Sequence, residues 1–388
     1  MSKTTAMKLS ALVGAVALAL TGCSAGTDGN NSNLPTKLGD PEGSVSILGW
    51  PGYVEDGSND PSVDWVSGFE EETGCQVTFK PYGTSDEAIS LFKSGDYDVI
   101  AASGDATLRL IAAGDVAELN TDLIPSYADV YDFLKAKSWN SVDGKVYGVP
   151  HGYGANLLMY RKDDVTPEPT SWSVVFDGAS KYSGKVTAYD SPIYIADAAL
   201  YLMSTKPELG ITNPYALDET QLQAAVDLLK AQKEHVGEYW SDYLKEIQAF
   251  ETGDSVVGTT WQVIASSMSA DANVGVTLPT EGATGWSDSW MISSTAKSPN
   301  CAYLWLNHIE SAEANAAATS YFGEAPATPK ACDILGADAC ATYHAGDEAY
   351  ASKIWYWTTP IAQCLDGRTD TECTDYARWT EAWTEIKG

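Results

Sequence analysis

The sequence predicts a two-lobed α/β protein, and three observations lead to this fold class. Residues 44–150 alternate short apolar strands with amphipathic helices, which is the pattern of a mainly parallel sheet with helices on both faces. A second block of the same kind follows over residues 151–284. Stretches that carry Gly and Pro, near Pro150 and at residues 282–285, predict the segments that cross between the two lobes.

The N-terminus has the features of a secretory signal over residues 1–22. Lys3 and Lys8 precede an apolar run that is too short to span a bilayer, and the run closes on small residues. The next residue, Cys23, makes this segment similar to the lipobox of bacterial lipoproteins. The similarity implies that a lipidated Cys23 is the mature N-terminus and holds the protein at a membrane surface outside the cytoplasm. The alternative is an ordinary signal peptide in which the cysteine is incidental.

Residues 23–43 are predicted to form a flexible tether because they are rich in Gly, Ser, Asn and Asp and lack apolar periodicity. No second long apolar run follows, so contact with a membrane is expected through the lipid anchor alone. The net charge is −30, and no basic patch is present that would bind nucleic acid. Three explanations of this acidic composition are open: general solubility, life in a saline habitat, or attraction of a cationic ligand. The overall charge does not decide among them.

The first lobe, residues 44–150, is predicted to contain three strands and three helices. The strands are expected at residues 45–48, 76–79 and 97–102. The helices are expected through Trp65 and Phe69 to Gly74, after a capping box formed by Thr84 and Glu87, and after Ser103-Gly104-Asp105. Because ligands bind at the carboxyl ends of strands in such sheets, the residues directly after these strands are candidates for a site.

The second lobe, residues 151–284, is predicted from the same alternation. Its strands are expected at 184–189 and 256–258, and its helices at 193–203, at 220–235, up to Gly253 and after Trp261. Residues 285–345 are predicted to return to the first lobe, with a strand at 289–293 and helices at 301–308 and 312–321. The C-terminal segment, residues 346–388, is expected to pack on the second lobe.

The cysteines predict three disulfides. Beyond Cys23 there are six cysteines, an even number in an exported chain. Local spacing favours the pairs Cys332–Cys340 and Cys364–Cys373, which leaves Cys75–Cys301 as a long-range link. A metal site is the alternative, but no C-x-x-C occurs and the histidines are scattered at His151, His235, His308 and His344. We therefore expect neither a metal nor a cofactor.

Sequence motifs of enzymes are missing. The chain has no G-x-S-x-G, no H-E-x-x-H and no phosphate-binding G-x-x-x-x-G-K-[ST]. We therefore expect no enzymatic activity, although a pair of catalytic carboxylates has no spacing signature and stays open on this ground.

Aromatic side chains beside Gly or Pro, or at strand ends, are the strongest functional signal. The chain has thirteen tryptophans, most of which we assign to packing, Trp65, Trp172 and Trp305 among them. An aromatic ring that faces water at a strand end is unfavourable unless it has a function, and stacking on a ligand is one such function. The candidates at such positions are Trp50, Tyr53, Trp261 and Trp286, with the polar residues Ser103 and Asp105 also directly after a strand.

The tripeptide Trp286-Ser287-Asp288 places an indole and a carboxylate on one face of extended backbone. Such a pair can bind an ammonium group through a cation–π contact and a charge-assisted hydrogen bond. Asp190, which follows a predicted strand, could hold the other end of a dication. The structural alternatives are an Asx turn for Asp288 and helix caps for Asp190 and Asp105.

Four segments resemble the polyamine-binding (spermidine/putrescine) proteins of ABC transporters and occur in that family's order. They are Gly-Trp-Pro-Gly-Tyr at 49–53 and residues 97–105, 189–197 and 281–288. The resemblance extends from about Val45 to Trp357, and one branch of the family has cysteines similar to Cys75, Cys301, Cys332 and Cys340. It implies a type 2 periplasmic-binding-protein-like fold with a ligand cleft between two lobes.

The resemblance also implies a role for each matching residue. Trp50 and Tyr53 correspond to aromatic residues of the first lobe, Ser103 to a ligand-contacting serine, Trp261 and Trp286 to walls of an aromatic box, Asp190 to a carboxylate that binds one amine, and Asp288 to the main amine partner. Asp105 and Glu324 stand where the family usually has tyrosines, and Ile193 stands where a second acid is expected. The pocket should stay cation-selective, with the length and shape of its ligand in question.

We therefore expect a monomeric, extracytoplasmic binder that captures putrescine, spermidine or a related amine. It would deliver the amine to a membrane permease driven by a cytoplasmic ATPase. Two alternatives remain open. One is a binder of an opine, an amino-acid derivative or a sugar on the same scaffold. The other is a tethered glycoside hydrolase that uses Asp190 and Asp288 as its acid pair.

Overall fold

The computed structural model describes residues 34–388, so the predicted signal, Cys23 and most of the predicted tether lie outside the described residues. The strands are β1 (Ser44–Gly49), β2 (Gln76–Pro81), β3 (Val99–Ala102), β4 (Ser141–Val142), β5 (Lys145–Val146), β6 (Val149–Pro150), β7 (Gly152–Ala155), β8 (Leu157–Arg161), β9 (Val186–Tyr189), β10 (Val236–Trp240), β11 (Val257–Thr260), β12 (Val274–Thr277), β13 (Ala283–Trp286), β14 (Ser289–Ile292), β15 (Ala325–Pro326) and β16 (Ile354–Tyr356).

The helices are α1 (Ser67–Thr73), α2 (Ser85–Phe92), α3 (Gly104–Ala113), α4 (Ile195–Thr205), α5 (Glu219–Lys233), α6 (Tyr243–Thr252), α7 (Gln262–Ser266), α8 (Pro299–Ile309), α9 (Ala312–Phe322), α10 (Pro329–Leu335), α11 (Ala337–Thr342), α12 (Glu348–Ala351) and α13 (Tyr376–Lys387). The helices and strands named from the sequence all occur, with bounds that differ by a few residues.

The sheet of the first lobe has the strand order β2-β1-β3-β14-β6. Four of these five strands run in one direction, and β14 is inserted antiparallel between β3 and β6. Strand β3 is apolar on both faces of the sheet: Val99 and Ala101 pack in one core cluster, and Ile100 and Ala102 pack in another. Both faces of the sheet are therefore covered by helices. The carboxyl ends of β1, β2 and β3 therefore meet at one edge of the sheet.

The sheet of the second lobe repeats this plan with the order β10-β9-β11-β8-β12. Here β8 is the one antiparallel strand, paired with β11 on one side and β12 on the other. The sheets are thus mainly parallel, as the alternation of strands and helices predicts. Strand β14 matches the strand predicted at 289–293, but its antiparallel direction was not predicted, and β8 was not predicted at all. Both strands directly follow a crossing between the lobes and enter the sheet from the opposite end.

A third sheet, of order β15-β7-β13-β16, contains both crossing segments. The chain leaves the first sheet at β6, passes through β7 and enters the second sheet at β8. It returns from β12 through β13 to β14. Because β7 and β13 pair antiparallel with each other, at Gly285–Ala155 and Trp286–Gly154, the two crossings are hydrogen-bonded together. Strand β16, which pairs parallel with β13, carries the chain across a third time toward α13. These hydrogen-bonded crossings link the two lobes.

Large aromatic side chains fill the cores. Trp65, Trp172 and Trp305 are buried, as the sequence analysis assigns them. In the C-terminal segment, α13 packs against α5, and Trp379 lies fully buried in the core of the second lobe. The segment also reaches the first lobe, where the Arg109 guanidinium lies 4.6 Å from the centre of the Tyr376 ring.

The three predicted disulfides are all present: Cys75–Cys301, Cys332–Cys340 and Cys364–Cys373. Cys75–Cys301 joins the chain just before β2 to α8 across 226 residues, and the other two close short loops. In the described part of the chain, the group closest to a metal-ligand cluster is Cys364, Asp366 and Cys373. Since its two cysteines are bonded to each other, neither offers a thiolate to a metal.

The capping box predicted at the start of α2 forms only in half. The Thr84 hydroxyl accepts a hydrogen bond from the Glu87 amide, as expected. The Glu87 carboxylate, however, accepts from the amide of Gly83 instead of returning to Thr84. Over residues 34–388, no helix has the length and apolarity to cross a bilayer.

Candidate functional site

A cavity of about 260 Å³ opens where the carboxyl ends of strands from both lobes face each other. The first lobe supplies Trp50, Tyr82 and Ser103, which follow β1, β2 and β3, and the second lobe supplies Tyr189, Ser241 and Trp261, which end or follow β9, β10 and β11. The same local topology thus presents side chains from each sheet. The inner wall is completed by Trp286, which ends β13, by Asp288, which precedes β14, and by Trp357, which follows β16.

Aromatic rings make up most of that wall. Trp261 and Trp286 lie with ring centres 5.3 Å apart, and Trp286 lies 6.1 Å from Trp357. Tyr189 stacks on Trp357 at 5.8 Å with an angle of 13° between the planes. Rings at these distances support one another and present apolar, electron-rich faces to whatever enters.

The indole of Trp286 is held in place from behind. Its Nε1 donates to Oε2 of Glu324 at 2.9 Å. Gly154 of β7 leaves room for the ring, since a Cβ there would lie 2.2 Å from Cζ2 of Trp286. Burial raises the pKa of Glu324 well above its ordinary value, and the neighbouring Asp288 raises it further.

The indole of Trp261 is held by a buried chain of polar side chains. Its Nε1 donates to Oδ1 of Asn156 at 2.9 Å, and the Asn156 amide donates to Thr284 Oγ1 at 2.6 Å. The Thr284 hydroxyl in turn donates to Oδ1 of Asp197 at 2.9 Å, and burial raises the pKa of Asp197 to about 7. The indole N–H groups of Trp261 and Trp286 both point into the protein, so these rings present their faces to the cavity.

Asp288 is the buried carboxyl group of the cavity, with 2% of its surface exposed. Its Oδ2 accepts a hydrogen bond from the Tyr53 hydroxyl at 2.9 Å, whereas Oδ1 accepts none from any described residue. Burial raises the pKa of Asp288 to about 6, and the nearby hydroxyl groups of Ser103 and Tyr53 oppose that shift. The lining contains no Lys, Arg or His among the described residues, so this carboxyl lacks a cationic partner.

The predicted site residues fall into three groups. Trp50, Ser103, Trp261, Trp286 and Asp288 line the cavity. Tyr53 and Glu324 lie directly behind it: both are buried, and the Tyr53 hydroxyl lies 2.9 Å from Asp288 and 3.3 Å from Glu324. These two residues position the lining without contributing a surface to it.

Asp105 and Asp190 form the third group, because the structure does not bring them to the cavity wall. Asp105 lies in the first turn of α3, where its Oδ1 accepts from the Ser85 hydroxyl at 3.0 Å. Burial raises the pKa of Asp105 to about 6. Asp190 is engaged by α13: its two oxygens accept from Lys387 Nζ at 3.0 Å and from Trp383 Nε1 at 3.2 Å. Neither carboxyl is placed as the resemblance implied.

Sequence reasoning missed several lining residues, namely Tyr82, Tyr189, Phe322, Trp357 and Asp242. Tyr82 and Tyr189 had a signal, since each lies at the carboxyl end of a strand. Phe322 and Trp357 had no such signal, because each lies at the end of an element whose apolar residues are explained by core packing alone. Asp242 precedes a helix, and there it is most simply interpreted as an N-cap.

Two lobes linked by paired crossings, with a cavity between them whose inner end is closed, define a protein that captures a small ligand. The chain belongs to the bacterial extracellular solute-binding protein family, whose family model matches residues 64–371. This assignment confirms the fold class that the sequence predicts.

Individual relatives agree with the assignment. The chain is 26% identical over 290 residues to the putrescine/cadaverine-binding protein of Pseudomonas aeruginosa, covering 68% of this chain and 73% of the relative. Among solved structures it is similar to the spermidine/putrescine ABC transporter substrate-binding protein PotD of Streptococcus pneumoniae (TM-score 0.68, 18% identity, 89% and 97% coverage). It is also similar to MotA of A. tumefaciens B6, solved with glucopine (TM-score 0.67, 21% identity, 89% and 100% coverage).

Proposed function

We propose that this protein captures a polyamine of the putrescine or spermidine type between its lobes and delivers it to the permease of an ABC importer. The observation that carries the proposal is Asp288: a buried carboxyl with one unpartnered oxygen at the closed end of an aromatic cavity. A buried carboxylate needs a partner. An ammonium group that enters the cavity supplies it.

The energetics favour an amine over a neutral ligand. A charge-assisted hydrogen bond to Asp288 is worth roughly 1.5–3 kcal/mol. Ring faces such as those of Trp261 and Trp286 add up to about 2 kcal/mol for a desolvated cation. The same rings cover methylene groups, which prefer them to water. Ammonium ends and an aliphatic body are the two features of a polyamine.

The division of the lining between the lobes supports a capture mechanism. Ser103 belongs to the first lobe and Trp261 to the second, so a ligand gains the full set of contacts only when both lobes touch it. Such a ligand stabilises the closed form by its differential affinity for that form. A closed form marked by ligand is the signal that a permease can recognise.

The named relatives support the choice of ligand and of partners. The Pseudomonas relative is named for putrescine and cadaverine, and the Streptococcus structure is named for spermidine and putrescine and for an ABC transporter. We further propose that Cys23 carries a lipid anchor and that the mature protein is a monomer outside the cytoplasm. In this account the protein itself performs no chemistry.

An opine or amino-acid derivative is the second candidate ligand, and one observation favours it: MotA was solved with glucopine. The glycoside hydrolase alternative has less support. It required Asp190 and Asp288 as an acid pair, and Asp190 is engaged by Lys387 instead. A glycoside panel that shows no turnover would remove this alternative.

The test is a ligand panel measured by isothermal titration calorimetry and by thermal shift at low ionic strength. The panel contains putrescine, cadaverine, spermidine, glucopine, a neutral sugar and 1,4-butanediol, which has the length of putrescine without its charges. We expect amines to bind and the diol and sugar not to bind. Glucopine binding without amine binding, or no response to any amine, would overturn the proposal.

The matched variants are Asp288→Asn and Asp105→Asn. Each removes one buried carboxyl of the same raised pKa, but only Asp288 lines the cavity. We expect Asp288→Asn to weaken amine binding by about 1.5–3 kcal/mol. Asp105→Asn should leave the affinity close to that of the wild type. Equal losses in both variants would argue against Asp288 as the amine partner.

A further inference from the structure

The cavity has a direction, from a closed inner end to an exposed mouth. Its inner end holds the buried residues Ser103, Trp286, Asp288 and Trp357. Its mouth is formed by exposed residues of both lobes: Pro51 and Gly83 from the first, and Ser241, Asp242 and Tyr243 from the second. A long, thin ligand therefore has one end buried and the other near solvent.

Only two acidic residues line this path among the described residues, and they lie in its two regions: Asp288 inside and Asp242 at the mouth. The other candidates are engaged elsewhere, Asp105 by Ser85, Asp190 by Lys387 and Glu324 by Trp286. The second carboxylate that the resemblance expected at Asp190 is thus available at a different position.

Asp242 is the N-cap of α6, and its local structure leaves it available to a ligand. Its Oδ1 accepts a hydrogen bond from the Leu244 amide at 3.0 Å. In the described part of the chain no basic side chain forms an ion pair with Asp242, which leaves its second oxygen for a ligand.

We propose that Asp242 is the specificity-determining residue for the outer end of the ligand, so that the site selects linear molecules with an ammonium group at each end. The inference rests on the proposed function and deepens it. The inner ammonium pairs with Asp288, the methylenes lie against the rings of Trp261 and Trp286, and the outer ammonium pairs with Asp242. Tyr243, which is 48% exposed at the mouth, offers its ring face to the same outer charge.

Selection follows from the charge at the outer end. A monoamine leaves Asp242 unused and loses one ion pair. An amino acid with a terminal carboxylate places like charges together, which costs affinity. The protein should therefore rank putrescine above butylamine, and butylamine above 4-aminobutyrate, three molecules that share a four-carbon body.

The test measures these three molecules against the full-length protein and two variants, Asp242→Asn and Asp375→Asn. Asparagine keeps the N-cap at both positions. Asp375 is the matched control: it is also an exposed N-cap, of α13, and it does not line the cavity. Both variants change the net charge equally. Affinities are measured by competition calorimetry at 10 mM and 150 mM NaCl.

We expect Asp242→Asn to weaken putrescine by about two- to fivefold, as for an exposed ion pair, and to leave butylamine unchanged. The loss should shrink at 150 mM NaCl because salt screens exposed charges. The variant should also bind 4-aminobutyrate more tightly than the wild type does. Asp375→Asn should reproduce the wild-type ranking.

Two results would overturn the inference alone: equal effects of Asp242→Asn on putrescine and butylamine, or no difference between the two variants. In both cases the wild type still binds amines, so the proposed function stands. A wild type that binds none of the three amines would overturn both the proposed function and this inference.

Discussion

On the proposed function, Asp288 should couple ligand capture to protonation, because this buried carboxyl lines the cavity and its pKa is raised to about 6. Its folded-state pKa of about 6 lies above the value of about 3.9 for an unfolded aspartate. The folded protein therefore holds the proton more tightly than the unfolded chain does. In the unliganded protein this contribution to stability is complete in acid and is lost as the pH rises from about 4 through about 6.

Amine affinity should have the opposite pH dependence. An ammonium group pairs with the ionised carboxylate, so binding favours loss of the Asp288 proton. Aliphatic amines stay protonated across this range. With a pKa of about 6, affinity should fall about tenfold between pH 8 and pH 5. Calorimetry at pH 5, 6, 7 and 8 measures this, and a flat profile would contradict the assignment of Asp288.

Asp190, in contrast to Asp288, should contribute little to amine binding. Since Lys387 and Trp383 occupy its oxygens, Asp190→Asn should change amine affinity by less than about twofold. The pair is about one-third exposed, so its loss should lower the free energy of unfolding by no more than about 1 kcal/mol. Titration calorimetry and chemical denaturation check both numbers. A large loss of affinity would restore the role that the resemblance implied.

Local sequence could predict the residues at strand ends but not their partners. Trp261, Trp286 and Asp288 were found because strand ends in an α/β sheet form the ligand edge. Asp190 also follows a strand, yet Lys387 lies 197 residues further along the chain and has no local signal. Asp242 was missed because an aspartate before a helix satisfies capping alone.

At the scale of elements, strand β7 shapes the cavity although none of its residues lines it. Gly154 pairs with Trp286 across the two crossings and leaves space for the indole. The same strand hydrogen-bonds the outgoing crossing to the returning one. The position of the aromatic wall is thus fixed by the link between the lobes.

Gly154→Ala should therefore disturb the site. The added methyl group would lie 2.2 Å from the Trp286 ring, and overpacking of this kind destabilises by about 1–3 kcal/mol. We expect a lower melting temperature, weaker amine binding and altered tryptophan fluorescence.

The matched control for this variant is Gly68→Ala, where a Cβ meets no atom within 4 Å. Alanine in that helix should stabilise by about 0.5–1 kcal/mol and leave binding unchanged. Wild-type affinity in Gly154→Ala would show that the Trp286 wall is not required.

Sequence patterns predicted the long elements better than the short ones. The strands and helices of both lobes follow from apolar periodicity and capping residues. The third sheet does not, because its strands are two to four residues long and pair across distant parts of the chain. The half-formed box at Thr84 has a similar cause, since the carboxylate of Glu87 found a nearer amide donor at Gly83.

At the scale of the whole molecule, two features bear on stability and binding: one long-range disulfide and a strongly negative net charge. Cys75–Cys301 ties the start of the first sheet to α8, which the chain reaches only after it has built the second lobe. The net charge of −30 creates a field that draws cations toward the molecule. Both features belong to the intact chain.

The long-range disulfide should dominate covalent stability. Loop-closure entropy predicts about 5 kcal/mol for a closed loop of this length and about 2.5 kcal/mol for the short loop closed by Cys332–Cys340. The double variant Cys75→Ala and Cys301→Ala should therefore lower the midpoint of denaturation more than Cys332→Ala and Cys340→Ala. Chemical denaturation of both variants checks the order, and equal losses would contradict it.

The most direct measurement of the central claim is a crystal structure of the protein with the amine that binds most tightly. We predict one ammonium nitrogen within about 2.7–2.9 Å of Asp288 Oδ1 and methylene groups in contact with the rings of Trp261 and Trp286. An amine bound outside this cavity, or one that leaves Asp288 unpaired, would contradict the account.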